Sequence, residues 1–330
     1  MSTLLLRSAS RLVRCLVAGA AAALALGLVT PTAVAYSGAF DPTQSVGNRG
    51  VDVTALQYLL RQHGHATAVD GVFSADTATA VKAFQRAKSL PVNGIVGEKT
   101  WGALVVQVRE GDKGDAVSAL QAELNSKRTL SLGVTGTFDA ATKQAVTSFQ
   151  SHAGIGADGV ASPQTWKNLL WHFSYPDFGA GLCDKDPDGN GTANWGTGAA
   201  IAQLEAAARS FAETKQGKIP VGDIAFEHGG AIKGHASHRV GLDADIWPIR
   251  TDSAQCTAGR ITWESPTYDR SATRQLVKAI KAAAPGHVKV VWFNDPVLIK
   301  EGLTRPLANH SNHLHVRYCE NGHPNASYRC

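Results

Sequence analysis

GHASHRVGLDADI, residues 234–246, sets His238 and Asp245 on either side of Gly241. Seven positions separate these two potential metal ligands, which is neither the i,i+4 spacing of one helix face nor the even spacing of one strand face. The chain therefore has to fold back between them, and Gly241 is the residue placed to permit it. A second cluster, NHSNHLHVRY at 309–318, supplies His310, His313 and His315. The β-prone end of that cluster predicts a strand, on which His313 and His315 point to one side. Two imidazoles and one carboxylate, with a fourth position left to water, form the donor set of a catalytic zinc site rather than a structural one.

The chain has 330 residues, enough for two or three domains with apolar cores. Its one long apolar run stands at the start, where Arg7, Arg11 and Arg14 precede LVAGAAAALALGLV and Ala33-Val34-Ala35. That is the pattern of a secretory signal over residues 1–35, cut before Tyr36, and it weighs against a retained membrane anchor. Its removal takes the net charge from +5 to +2, with 29 basic against 27 acidic residues. So small a charge, without a basic stripe interleaved with aromatics, gives no case for nucleic-acid binding. Cys15 leaves with the signal, and Cys183, Cys256, Cys319 and Cys330 remain. In an exported protein these predict two disulfides, with three pairings open.

After the segment Tyr36 to Thr43 the chain duplicates itself. Gly50, Val53, Leu56, Gln57 and Leu60 recur 64 positions later as Gly114, Val117, Leu120, Gln121 and Leu124. Gly71, Phe73, Phe84, Gln85, Gly94, Thr100 and Trp101 recur 65 positions later, from Gly136 to Trp166. Each repeat, placed at 44–106 and 107–171, reads as three short helices. The D-G-x-F loop and T-x-x-A-V-x-x-F-Q helix resemble the bacterial peptidoglycan-binding domain, a three-helix module, which implies a peptidoglycan partner. The second repeat departs from the pattern in one place, with Thr135 where the first has Asp70. The Leu, Val, Phe and Trp positions read as core, so wall binding is assigned to the modules as wholes.

From residue 172 to 330 histidine becomes dense, with nine of the chain's 12. Asp184, Asp186 and Asp188 open like a calcium loop, but Trp195 stands where the twelfth-position glutamate belongs, which favours a solvated acidic turn over a Ca2+ site. A helix is predicted over 198–215, a strand over 219–226, a helix over 269–283 and a strand over 289–293, with HLHVRY closing the sheet. Their order favours an α+β domain with an antiparallel sheet over a doubly wound one.

GDIAFEHGGAIKGHASHRVGLDADIW, together with the later H-x-x-H-x-H, is similar to the penicillin-insensitive murein endopeptidases, relatives of the lysostaphin, D-Ala-D-Ala metallopeptidase and Hedgehog fold group. That resemblance implies a zinc ion held by His238, Asp245 and His315. It also implies His313 as the catalytic histidine, with His310 beside it as a second catalytic candidate in the pocket and His235 as a pocket residue on the substrate side. Arg317, two after His315, is a candidate for a substrate carboxylate, with a surface ion pair as the alternative. Asp243 stands open between orienting a histidine and facing solvent. Glu227 reads as a surface loop acid, and His228, His287 and His323 as ordinary histidines. The chain contains no HExxH, no G-x-S-x-G and no S-x-x-K, so neither a zincin nor an active-site serine is supported. The expectation is a secreted, wall-associated zinc endopeptidase that cuts peptide cross-links of the D-alanyl-diaminopimelate type. A non-catalytic wall-binding protein, a zinc carboxypeptidase and an L-alanyl-D-glutamate endopeptidase remain open beside it.

Overall fold

The computed structural model describes residues 42–179, 181–185 and 193–330; the expected signal at 1–35, and Asp186 and Asp188 of the acidic turn, lie outside the described residues. Among the described residues no helix is long and apolar enough to cross a membrane.

The first repeat folds as α1 (Val51–Gln62), α2 (Ala75–Ala87) and α3 (Glu98–Leu104), the second as α4 (Asp115–Arg128), α5 (Ala140–His152) and α6 (Pro163–Trp171). Val53, Leu56, Leu59 and Leu60 share one face of α1 and are wholly buried. Side-chain caps start the later helices: Ser74, Asp139 and Ser162 accept from the backbone N–H three residues on. The glycine loops are held by buried glutamines. Gln57 Oε1 accepts the N–H groups of Asp70 and Gly71 at 3.0 and 2.9 Å, and its amide donates to the Asp70 carboxylate at 2.8 Å. Gln85, Gln121 and Gln150 close the loops at Gly94, Gly136 and Gly159 in the same way. This accounts for the change at Thr135. Asp70 caps its turn by accepting from Val72 N at 2.9 Å, and the Thr135 hydroxyl accepts from Thr137 N at 3.2 Å. The position shapes a turn, so its loss of charge leaves the second repeat folded like the first. Helices α1 and α4 pack together, and the two repeats share one apolar core.

The remainder builds one sheet of β1 (Leu182–Asp184), β2 (Ile219–Val221), β3 (Asp243–Ile246), β4 (Val288–Trp292) and β5 (Leu314–Tyr318), in the order β1-β2-β3-β5-β4. The β1/β2 edge pair is parallel and all other pairs are antiparallel. Helices α7 (Gly198–Ala212) and α8 (Arg270–Ala283) pack together, and their apolar residues share a second core with Ala244, Ile246, Leu314 and Val316 from the sheet. A short α9 (Pro296–Lys300) follows β4.

Three details differ from the expectations. The helix after residue 198 ends at Ala212, and the strand expected over 219–226 stops at Val221, although Gly222 N still donates to the Asp245 carbonyl at 2.8 Å. HLHVRY does not close the sheet: β5 lies inside it, between β3 and β4. Alternation shows which face of a strand is buried but not which neighbours it takes.

The disulfides pair Cys183 with Cys256 and Cys319 with Cys330. The first ties β1 to the loop before α8, the second ties the last residue to the end of β5. Repeats and sheet domain are in contact through α1 and α7, where a Cβ on Gly50 would meet the Gly198 carbonyl at 2.7 Å. A buried ion pair, Lys127 to Asp52 at 2.9 Å, joins α4 to α1 beside that contact.

Candidate metal centre

Antiparallel register sets Asp245 opposite His315 and Asp243 opposite Arg317. With a period of two, these four side chains share one face of the sheet, while Ala244, Ile246, Leu314 and Val316 point into the core. His238 reaches the same face from the preceding loop. Its backbone is left-handed, φ 66°, a conformation costly for a residue with a Cβ. Two bonds hold it there: its N–H donates to Asp243 Oδ2 at 3.1 Å, and its Nδ1 donates to the Ile224 carbonyl at 3.0 Å. The return turn needs Gly241, φ 69°, where a Cβ would lie 2.8 Å from Thr197 N.

His238 Nε2 lies 3.3 Å from Asp245 Oδ1, and His315 Nδ1 and His313 Nε2 each lie 3.6 Å from the same oxygen. A tetrahedral ion with bonds of about 2.0–2.1 Å separates its ligands by about 3.3 Å, so these contacts have the scale of a metal's coordination edges. His238 Nε2 and Asp245 Oδ1 are buried and have no hydrogen-bond partner among the described residues. Buried polar atoms are rarely left so, and the donor set of imidazole nitrogens and one carboxylate oxygen fits a zinc-class ion.

Asp243 is wholly buried and accepts from His315 Nε2 at 2.8 Å, Arg317 Nε at 2.7 Å and the Tyr328 hydroxyl at 2.7 Å. It therefore faces His315 and not solvent. The bond from His315 Nε2 fixes the tautomer and turns the Nδ1 lone pair toward Asp245. His313 is oriented by a lighter contact, Nδ1 to Asn312 Oδ1 at 2.8 Å. His310 Nε2 stands 3.4 Å from His315 Nδ1. His235 is held through Nε2 by Asp223 Oδ2 at 3.0 Å and faces the second oxygen of Asp245 at 3.7 Å.

Arg317 lines the cavity, but its Nε is committed to Asp243 and its guanidinium lies between the Trp292 and Tyr328 rings, 4.9 and 4.7 Å from their centroids. The ion pair expected as its alternative role is therefore present, with Asp243 as partner, but mostly buried and not at the surface. Glu227 lies away from the centre and is no solitary loop acid: its Oε1 accepts from Arg128 at 2.8 Å.

Burial pushes the Asp245 carboxyl upward, yet His238, His313 and His315 outweigh it and hold the group well below the usual carboxylate range. Burial likewise lowers His238, but the Asp245 and Asp243 carboxylates raise it to about 9. In His313 burial prevails over Asp245 and brings the imidazole down to about 4. A cation beside His313 would push it further the same way, so that ring is neutral near pH 7. The face opens into a cavity of about 930 Å³ with Lys233 and Arg260 in its wall, large enough for an extended peptide.

Sequence reasoning did not single out Asp223, Asn312 or Tyr328. Asp243 was within reach of it, since a residue two before Asp245 on a strand shares its face. For Tyr328, 85 residues beyond Asp243, no local signal exists.

Residues 49–104 and 113–169 each match the peptidoglycan binding domain family, and residues 190–291 match the family described as penicillin-insensitive murein endopeptidase. The last match includes His238 and Asp245 and ends before the second histidine cluster. The chain is 35% identical over 135 residues to the N-acetylmuramoyl-L-alanine amidase CwlM of Mycobacterium tuberculosis, covering 36% of this chain and 33% of that protein. It is 32% identical over 136 residues to the penicillin-insensitive murein endopeptidase of Haemophilus influenzae, covering 32% and 47%. A third relative, the zinc D-Ala-D-Ala carboxypeptidase of Streptomyces albus G, is 35% identical over 108 residues, covering 32% and 39%. The chain thus spans a third to a half of the length of these relatives.

Proposed function

We propose, for a chain that joins two peptidoglycan-binding domains to a domain of the penicillin-insensitive murein endopeptidase family, that it is a zinc-dependent hydrolase of wall peptide cross-links, acting outside the cytoplasm. One observation carries the reading: His238 Nε2, Asp245 Oδ1 and His315 Nδ1, from distant parts of the chain, converge beside an open cavity. His238, Asp245 and His315 would hold the ion. The choice of His315 over His313 rests on the buried Asp243 behind it, the arrangement that orients metal-binding imidazoles. When bound, such an ion polarises a peptide carbonyl and makes a nearby water more acidic.

His313 is the base of this reading. Its Nε2 is neutral near pH 7, faces the centre, and can take a proton from the attacking water and return it to the leaving amine. His310 and His235 flank the cavity and help to seat substrate, with His235 fixed by Asp223. The repeats, residues 44–171 in this reading, raise the local concentration of a polymeric substrate at the domain formed by 172–330. Lys233 and Arg260 suit an anionic peptide, as a diaminopimelate-containing cross-link would be.

The test is release of soluble fragments from purified peptidoglycan, with and without a chelator, followed by mass spectrometry. Chelator-sensitive loss of dimeric cross-linked fragments is expected. Release of free D-alanine alone would move the assignment to a carboxypeptidase, and binding without release would leave a wall-binding protein.

A further inference from the structure

A second group of histidines gathers where the second repeat touches the sheet domain. Arg128 ends α4, His152 ends α5, His172 follows α6, and Glu227 with His228 lies in the loop between β2 and β3. Glu227 Oε1 lies 3.1 Å from His152 Nε2 and 3.3 Å from His172 Nε2, and the two imidazole nitrogens are 3.3 Å apart. All three edges of this triangle match the about 3.3 Å that separates the ligands of a tetrahedral ion with bonds of about 2.0–2.1 Å. His172 Nδ1 donates to the Phe173 carbonyl at 2.6 Å, which leaves Nε2 as an acceptor facing the triangle.

With the His152 proton on Nδ1 all three atoms are acceptors, and acceptors so close repel one another unless a cation holds them. Here Arg128 does so, with Nη1 at 2.8 Å from Glu227, 3.0 Å from His152 and 3.2 Å from His172. One guanidinium nitrogen carries two hydrogens and so cannot give each of three acceptors a well-aligned bond. A divalent ion can satisfy all three at once. Arg128 is the last residue of its helix, and its side chain is partly exposed, so it is free to swing out.

We propose that His152, His172 and Glu227 form a second divalent-metal site, of the zinc class, which ties the second repeat to the sheet domain, and that Arg128 occupies its place when no metal is bound. His228, whose ring centroid lies 5.4 Å from that of His152, is the neighbour placed to add a fourth ligand and close the site as a structural one. The proposal is independent of the hydrolase reading, since none of these residues lines the cavity at His238.

The test uses the full chain with His238→Ala, Asp245→Ala, His313→Ala and His315→Ala, which removes the first centre together with the histidine cluster beside it, and zinc as the probe. Equilibrium dialysis with metal analysis should find one bound equivalent, and zinc should raise the melting temperature. Adding His152→Ala and Glu227→Gln should abolish both effects. Arg128→Met, made in the same background, should tighten zinc binding at least tenfold by removing the competing cation. Absence of a bound equivalent in the parent variant, its persistence without His152 and Glu227, or unchanged or weaker zinc binding in the folded Arg128→Met variant would each overturn the proposal.

Discussion

Replacing Asp243 by Asn tests how the centre is supported. The wholly buried carboxylate accepts four hydrogen bonds, from His315 Nε2, Arg317 Nε, the Tyr328 hydroxyl and the backbone N–H of His238. Asn keeps the shape but turns one acceptor oxygen into a donor, so at least one of the four donors is left facing another N–H. An unsatisfied buried donor costs about 1–3 kcal/mol. Arg317, only 15% exposed, also loses its anion, and breaking a buried pair from one side costs about 3–5 kcal/mol. The two losses overlap, so the expected destabilisation is about 3–5 kcal/mol in all. His315 loses the partner that fixes its tautomer, which should weaken zinc binding by about 10–100-fold. Urea unfolding of the metal-free protein reads the first quantity, and zinc titration against a competing chelator reads the second. Tyr328→Phe is the milder companion: it removes one donor, leaves His315 paired, and should cost about 1 kcal/mol with zinc affinity unchanged. A folded Asp243→Asn variant that binds zinc within twofold of the parent would refute the reasoning, because His315 would then not be a ligand set by Asp243.

Other perturbations separate the remaining assignments. His313→Ala should retain the metal and lose turnover by about 10²–10⁴-fold, whereas His315→Ala should lose the metal itself; metal analysis beside wall lysis would expose a reversed assignment. Burial, with Asp52 adding to it, raises the Glu320 carboxyl to about 8. Its folded pKa exceeds the unfolded one, so the folded state binds more protons between about pH 4.5 and 8 and stability falls as pH rises through that window. Glu320→Gln should flatten this slope in urea midpoints measured from pH 5 to 8. Opening Cys183–Cys256, which spans 73 residues, should cost about 4 kcal/mol by loop entropy, against about 3 kcal/mol for the 11-residue span of Cys319–Cys330, as read by unfolding of the paired Cys→Ala variants. Gly50→Ala drives a Cβ to 2.7 Å from the Gly198 carbonyl and should loosen the repeats from α7, visible as faster proteolysis between residues 171 and 198.

The offset duplication, the HxxHxxGxDxD turn and the strand that carries His315 were legible because each is local, whereas His313, expected on that strand, stands just before it. A helix face, a glycine turn and a strand face are set by neighbours within a few residues, so His238, Asp245 and His315 could be singled out as candidates from spacing and resemblance. The same spacing was silent about partners far along the chain. Which strands flank β5 and which cysteine takes which depend on the packing of whole elements, as does the meeting of Asp243 with Tyr328. Arg317 shows the limit most plainly: its place on the ligand face followed from period two, but its bond to Asp243 and its seat between two rings come only from the folded chain. Glu227 looked like a loop acid because its partners Arg128, His152 and His172 belong to another module. Long-range pairing is decided by burial and shape across the whole molecule, and short-range sequence carries no record of it.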